Sequence, residues 1–139
     1  MSSTDRPAAN AAIPILRIFD RAKAYEFYRD FLGFEVVWEH RFEPDLPLYA
    51  EVRRDGIRLH LSEHHGDASP GAAVIVEVDD ARALQERLLA ARYGFARPGL
   101  SDDGWALTVT VTDPFHNRIV FAERTSTNPP ADRVPPADD

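Results

Sequence analysis

The pattern of hydrophobic and polar residues predicts the same series of elements twice along the chain: a strand, a helix and then three strands. The first pass opens with an apolar strand, Ile13 to Phe19, and continues with Asp20, a residue type that caps helix N-termini. Gly33 ends the predicted helix, whose apolar positions recur at helical spacing: Ala24, Phe27, Tyr28 and Phe31. Alternating stretches then predict three strands, at Phe34 to Phe42, Leu48 to Arg53 and Ile57 to Ser62, the last two joined by an Asp55-Gly56 hairpin turn.

The second pass repeats this order about 60 residues later, a spacing typical of duplicated units. Its strand is Val74 to Val78, its cap is Asp79-Asp80, and Gly94-Phe95 matches Gly33-Phe34 as the end of the helix. The remaining predicted segments are a helix with Leu84, Leu88 and Ala91, an extended piece up to Pro98-Gly99, and strands at Trp105 to Thr112 and Arg118 to Arg124.

Two βαβββ modules of this kind predict an α+β fold, a curved mixed sheet that forms a cup with the helices outside. We expect one domain at residues 12–124, with modules at about 12–65 and 72–124. Residues 1–11 and the Pro-rich residues 125–139 offer little apolar surface to bury, and we expect both to be disordered tails.

Composition narrows the possible functions. The 139 residues contain no cysteine, which excludes disulfides, thiolate metal sites and cysteine nucleophiles. The formal net charge of -7 disfavours nucleic acid and anionic membranes as partners, and it favours cationic small molecules. No apolar run is long enough to span a membrane, and we expect a cytoplasmic protein.

Two sequence blocks resemble a known family. The block F-Y-x-D-x-L-G-F at residues 27–34 and the block D-P-x-x-N at residues 113–117 resemble the vicinal oxygen chelate superfamily and, within it, the bleomycin resistance proteins. The resemblance covers roughly residues 13–123 and implies the cup-shaped fold, whereas activities on this scaffold range from lyases, isomerases and dioxygenases to non-catalytic drug binding. His116 departs from the family, which usually has glycine there, so the turn must tolerate a positive φ or shift.

The resemblance also implies where a metal ion would bind, on cup-facing positions of the first, fourth, fifth and eighth strands. The matching residues are Ile13, His60, Ala73 and Val120, of which only His60 has a ligating side chain. We therefore expect no metal and no other cofactor. Alternation of its strand places His60 in the cup, either as a hydrogen-bonded wall residue or as a remaining ligand or base. We interpret the nearby Glu63, His64, His65 and Asp67 as part of an exposed loop.

Aromatic residues are the main candidates for ligand contact. A strand face that mixes aromatic and polar side chains suits a wet cleft, and flat rings can stack on a planar heteroaromatic ligand. We accept Phe34 and Phe121 as core. The expected ligand-binding residues are Trp38, His40, Phe42, Tyr49, His60, Glu63, Trp105 and Phe115. Candidate acidic groups at the rim are Glu51, Glu63, Asp67, Asp102 and Asp103.

Bleomycin resistance proteins, by this resemblance, are homodimers that trap a cationic heteroaromatic antibiotic in interface clefts without altering it. The resemblance therefore predicts a homodimeric small-molecule binding protein, without catalytic residues, that sequesters such a compound. The alternative is a metal-dependent lyase or dioxygenase that combines His60 with unconventional ligands such as His40, Glu77 or His116. A third possibility is a dimeric domain whose cup binds nothing.

Overall fold

The structure is a computed structural model that describes residues 6–91, 93–94 and 97–125. Its elements are β1 (Ile15–Arg17), helix α1 (Arg21–Tyr25) with a π-helical continuation (Glu26–Phe31), β2 (Glu35–His40), β3 (Tyr49–Arg54), β4 (Ile57–Ser62), β5 (Ala73–Glu77), α2 (Ala81–Ala90), β6 (Leu100–Asp102), β7 (Ala106–Thr112) and β8 (Arg118–Arg124). The predicted tails lie largely outside the described residues. None of the described helices is long and apolar enough to cross a lipid bilayer.

The strands form two four-stranded sheets with the same topology. The first has the order β1-β4-β3-β2 and the second the order β5-β8-β7-β6. In each sheet the first strand of the module pairs in parallel with its last strand, and the other pairings are antiparallel. The α+β fold of two βαβββ modules expected from the sequence is confirmed.

Helix α1 begins where the sequence predicts and changes its pitch halfway. The Asp20 side chain accepts a hydrogen bond of 2.8 Å from the Lys23 amide and so caps the helix. From Glu26 to Phe31 the helix is π-helical, whereas the sequence predicts an α-helix throughout. Buried residues come in pairs four positions apart, Phe27-Tyr28 and Phe31-Leu32, a spacing that keeps both pairs on the core side of the helix.

The two helices end differently, which corrects part of the predicted repeat. Gly33 ends the first helix in the left-handed conformation, with a φ of 84°. Helix α2 is capped by Asp80 as predicted but ends at Ala90, and Gly94 lies beyond it without a positive φ. The prediction that Gly94 ends this helix is therefore wrong, and Phe95 lies outside the described residues. The sixth strand is also displaced, since it begins after Gly99 rather than before it.

The D-P-x-x-N block forms a buried turn between β7 and β8. One oxygen of Asp113 accepts hydrogen bonds from the amides of Phe115 and Asn117, both at 2.8 Å. The other accepts from the Tyr28 hydroxyl at 2.7 Å and from the Asn117 side chain at 2.9 Å. Burial and the Asp113 carboxylate raise the pKa of Tyr28 well above its usual range, so its hydroxyl donates. His116 occupies this turn with a φ of 72°, so the turn tolerates a non-glycine residue in the left-handed region.

Asn117 connects the turn to both modules. Its side-chain nitrogen also donates to the Arg17 carbonyl on β1 at 2.8 Å, and its side-chain oxygen accepts from the Ala72 amide at 3.1 Å. Tyr28 on the first helix reaches the same turn through Asp113. The block that carries the family resemblance therefore has a structural role here, because it holds the first module to the second.

Among the described residues, the two sheets and both helices share one hydrophobic core. Phe34 and Phe121, accepted as core from the sequence, are buried, which confirms that interpretation. The largest fully buried side chains come from both modules and include Tyr28, Phe27, Phe121, Leu16, Ile18, Leu59 and Ile119.

Glu39 ties the edge strand β2 to helix α1. Its carboxylate accepts hydrogen bonds from the Tyr25 hydroxyl at 2.5 Å and from Nε of Arg21 at 2.8 Å. The hydrogen bond from Tyr25, followed by that from Arg21, lowers the pKa of Glu39. A carboxyl with a lowered pKa in the folded state stabilises the fold above its unfolded pKa, and this contribution disappears as the pH falls through the folded value.

We expect Glu39→Gln to lower the free energy of unfolding by about 1 kcal/mol at neutral pH, a modest effect because the ion pair is partly exposed. The difference between wild type and variant should shrink as the pH falls below 4.5, the ordinary pKa of this carboxyl. Urea unfolding curves at several pH values measure this difference. A difference that stays constant down to the lowest pH would contradict the assignment.

Candidate ligand-binding site

The face of the first sheet that points away from helix α1 carries aromatic and polar side chains in register. One row across the strands contains Trp38, Glu51 and His60, because Trp38 lies opposite Glu51 and Glu51 lies opposite His60. The neighbouring row places His40 opposite Tyr49. We call this surface, defined by these five residues, the open face.

A β-bulge places Trp38 on the open face. The pairing of β2 with β3 shifts by one residue between Val36, which pairs with Val52, and Trp38. In a regular strand Trp38 would share the face of Val36, which packs against the core. The extra residue, Val37, reverses the alternation and turns Trp38 toward Glu51. Trp38 is 41% exposed as a result.

Tyr49, His60 and Glu51 form one hydrogen-bonded chain. The Tyr49 hydroxyl lies 2.7 Å from Nδ1 of His60, and Nε2 of His60 lies 3.0 Å from Oε1 of Glu51. Burial and the negative charge of Asp67 raise the pKa of Tyr49. The Glu51 carboxylate has no hydrogen to donate, so it accepts from Nε2 of His60, which leaves Nδ1 as the acceptor for the Tyr49 hydroxyl. His60 therefore carries its hydrogen on Nε2 and donates it to Glu51. Both ring nitrogens of His60 are occupied.

Glu51 presents one carboxylate oxygen to the open face. The residue is only 7% exposed, and Oε1 accepts from His60. No described hydrogen bond involves Oε2 of Glu51, and no buried side-chain oxygen or nitrogen in the described residues lacks a partner. Oε2 is therefore accessible to solvent. A nearly buried carboxylate with one open oxygen can accept a hydrogen bond from a cationic group.

Aromatic rings surround this chain. Trp38 and Tyr49 lie nearly parallel, with ring centroids 5.9 Å apart and an interplanar angle of 10°. The His60 ring meets both edge-on, at 5.4 Å from Trp38 and 5.1 Å from Tyr49. The contacts fix the ring orientations, while the exposure of Trp38 leaves its surface available for stacking on a planar molecule.

Charge is distributed unevenly along the open face. Asp67 lies near Tyr49, and its carboxylate accepts a hydrogen bond of 2.6 Å from Ser62. At the other end of the sheet Arg53 and Arg58 lie opposite one another. Arg17 lies opposite Ser62, so the face carries carboxylates at Glu51 and Asp67 and guanidinium groups at Arg17, Arg53 and Arg58.

Two other predicted site residues, Phe42 and Glu63, lie at the margin of this face. Phe42 follows just after β2, its ring centroid 4.9 Å from that of His40, and is 75% exposed. Glu63 holds the loop between β2 and β3 in place, because Oε1 accepts from the Leu48 amide at 2.8 Å and lies 3.6 Å from Nη1 of Arg41.

The structure places the remaining predicted residues in the second module. Trp105 precedes β7, with the guanidinium carbon of Arg124 at 5.9 Å from its ring centroid. Phe115 is buried in the core, and its ring centroid lies 6.0 Å from that of Phe19. Asp102 and Asp103 accept hydrogen bonds from Gly104, Ser101 and Thr108 in the turn before β7. These residues belong to the second module, whereas the open face belongs to the first sheet.

Comparison with known proteins decides the family. A family described as glyoxalase superfamily protein matches residues 6–128. The chain belongs to the glyoxalase superfamily. No curated protein matches the sequence significantly.

Solved structures similar to this superfamily member include several antibiotic-binding proteins. The bleomycin-binding protein from bleomycin-producing Streptomyces verticillus, solved with copper(II)-bleomycin, is 30% identical, with a TM-score of 0.64, over 85% of this chain and 98% of that one. TnmS3, an antibiotic binding protein from Streptomyces sp. CB03234, is 20% identical, with a TM-score of 0.64, over 86% and 100% of the two chains. The bleomycin resistance determinant encoded on transposon Tn5 is 16% identical, with a TM-score of 0.64, over 85% and 100%. The last two likenesses show the fold alone.

The donor set does not fit the metal site that the superfamily resemblance implies. Ile13, Ala73 and Val120 offer no donor atoms, and His60 uses both nitrogens within the chain of hydrogen bonds. Across residues 6–91, 93–94 and 97–125, no three His, Asp or Glu side chains converge as a metal ion requires. Two proposed extra ligands are placed elsewhere, since Glu77 pairs with Arg124 at 2.6 Å and His116 lies in the β7–β8 turn.

Proposed function

We propose that the protein binds a planar, cationic heteroaromatic small molecule on the open face and sequesters it without chemical change. The observation that carries this proposal is the combination of an exposed Trp38 ring with the open Oε2 of the nearly buried Glu51. Rings of the ligand would stack on Trp38, and its cationic group would lie toward Glu51 and Asp67. The cytoplasmic location expected from the sequence belongs to the same proposal.

The internal hydrogen bonding supports binding rather than catalysis. A general base needs a free lone pair within reach of a substrate, and Nδ1 of His60 already accepts from Tyr49. Nε2 of His60 donates to Glu51. The chain of three residues therefore positions Glu51 and Tyr49, and His60 acts as a positioning residue.

The bleomycin-binding protein from Streptomyces verticillus supports the ligand class, because it is similar over nearly its whole length and was solved with copper(II)-bleomycin. Its resemblance makes bleomycin the first probe to use. The open face of this chain carries the aromatic ring and carboxylate that such a cationic heteroaromatic compound would need.

We further propose that the protein is a homodimer in which the second copy forms the opposite wall of a cleft over the open face. In the single chain, β2 is almost entirely exposed, including Val37 at 46%. The second sheet also has an uncovered face, where Ile75 is 59% exposed and pairs with the half-buried Val120. Exposed apolar side chains on two sheet faces fit an interface between copies. Sedimentation velocity should give the dimer mass, and a monomer mass alone would contradict this part of the proposal.

Calorimetric titration tests the binding proposal. We expect metal-free and copper-loaded bleomycin to bind with a Kd below about 1 μM, and transition-metal salts alone to give no comparable heat. Mass spectrometry of the released ligand should show an unaltered compound. Ligand conversion, or metal binding by the protein without bleomycin, would favour the metal-dependent enzyme instead.

Trp38→Ala and Leu89→Ala form a matched pair for this titration, because both side chains are partly exposed, Trp38 by 41% and Leu89 by 43%. We expect Trp38→Ala to weaken binding by about tenfold and to change stability little, because stacking is lost while the core stays intact. Leu89→Ala on α2 should leave the affinity unchanged. Equal affinities for the two variants would argue against stacking on Trp38.

A further inference from the structure

A cavity separate from the open face lies between the two modules, beside helix α2. Its volume is about 490 Å³, which is within the range of small-molecule sites. The β3–β4 hairpin, the end of β5 and the first turns of α2 enclose it. It shares no residue with the open face, so ligand binding in this cavity does not depend on the proposed function.

The floor of this cavity is apolar. Phe34, Val76, Leu84 and Phe121 line it, and each is at least nine-tenths buried. Ile57 from the hairpin is half-buried beside them. An alkyl or aryl group placed here would cover apolar surface that now faces solvent.

Two guanidinium groups line the same cavity. Arg54 is held in place, since Nη1 donates to the Leu32 carbonyl at 2.9 Å. Arg54 contacts Leu32 and Arg87 lies over the adjacent Gly33, which brings the two cations close together. Burial lowers the pKa of Arg54 and the charge of Arg87 lowers it further, while Asp55 acts in the opposite direction. Nη2 of Arg87 lies above Gly33, 3.9 Å from the position that a Cβ would take there. No side-chain hydrogen bond or ion pair engages the Arg87 guanidinium within the described residues.

The acidic residues around the cavity do not neutralise Arg87. Glu77 pairs with Arg124 at 2.6 Å, and Asp80 caps helix α2 by accepting from the Ala83 amide at 3.0 Å. Oδ2 of Asp55 lies 3.9 Å from Nε of Arg54, and the Asp55 side chain is 91% exposed. Asp79 is exposed at the rim. A bound anion would therefore relieve the repulsion between Arg54 and Arg87.

We propose that this cavity binds a small carboxylate with an apolar aryl or alkyl body. The carboxylate accepts hydrogen bonds from Arg87, whose planar guanidinium matches its geometry, and the body lies on Phe34, Leu84 and Phe121. The anionic charge distinguishes this ligand from the cationic compound proposed for the open face. The two sites therefore require opposite ligand chemistry.

Titration of the full chain with naphthalene-2-carboxylate, followed by amide chemical shifts, tests this site. We expect a Kd below about 1 mM and no saturable binding of the uncharged naphthalene-2-carboxamide. The shifts should concentrate at the β3–β4 hairpin and the start of α2. Failure of the carboxylate to bind, equal binding of the amide, or shifts confined to the open face would each overturn the proposal.

Two matched arginine variants on α2 distinguish a direct contact with the carboxylate from the effect of overall charge on the anion. Arg87→Gln should weaken carboxylate binding about tenfold, whereas Arg82→Gln, an exposed change outside the cavity lining, should not. Trp38→Ala should leave carboxylate binding unchanged, which separates this result from failure of the proposed function. Equal effects of Arg87→Gln and Arg82→Gln would contradict the assigned contact.

Discussion

Asn117→Ala is expected to lower the free energy of unfolding by about 3–5 kcal/mol, because it leaves several buried polar groups without partners. The side chain is fully buried and bonds to the Arg17 carbonyl, the Ala72 amide and the Asp113 carboxylate. Alanine can satisfy none of these groups. Chemical denaturation measured by circular dichroism gives the change directly.

Thr112→Ala is the control for this substitution, because Thr112 lies on the same hairpin and is exposed. Its expected change is within about 0.5 kcal/mol. A loss for Asn117→Ala no larger than that for Thr112→Ala would show that the D-P-x-x-N turn does not hold the two modules together.

Glu51→Gln is expected to weaken binding of the cationic ligand by about tenfold to a hundredfold, because it removes the charge from a nearly buried acceptor. The amide oxygen can still accept from Nε2 of His60, so the chain from Tyr49 is kept and stability should change little. Calorimetry with metal-free bleomycin measures the affinity.

Glu86→Gln carries the same charge change on the exposed surface of α2. It should reduce the affinity by less than about twofold, because an exposed charge far from the ligand is screened by salt. Similar losses for Glu51→Gln and Glu86→Gln would mean that the net charge of the protein, and not the open face, attracts the ligand.

The two-module fold could be predicted because each element has a strong local signal. Asp20 and Asp80 cap their helices, and hydrophobic residues alternate with polar ones along the sequences of several strands. The π-helical segment could not be predicted in the same way. Its paired aromatic residues fit an α-helical spacing, so the sequence carries no signal of the wider turn.

Part of the open face can also be predicted from the sequence. A two-residue turn at Asp55-Gly56 fixes the register of β3 and β4, and counting back from it places Glu51 opposite His60. This register places Glu51 at the centre of the face rather than at the rim, where the sequence alone predicts it.

The position of Trp38 depends on tertiary structure. The bulge at Val37 has no glycine or proline to mark it, and one extra residue decides which face of the sheet the indole occupies. The sequence predicts the same role for Trp38, Trp105 and Phe115, because all three are aromatic residues in or beside strands. Packing places Phe115 in the core and Trp105 on the second sheet, a distinction that residue type does not contain.

A crystal structure of the protein saturated with metal-free bleomycin tests the central claim most directly. We expect the heteroaromatic rings of the ligand to stack on Trp38, with a cationic group within hydrogen-bonding distance of Oε2 of Glu51 and His60 still bonded to Tyr49. A ligand bound away from the open face, or a metal ion coordinated by His60, would contradict the account.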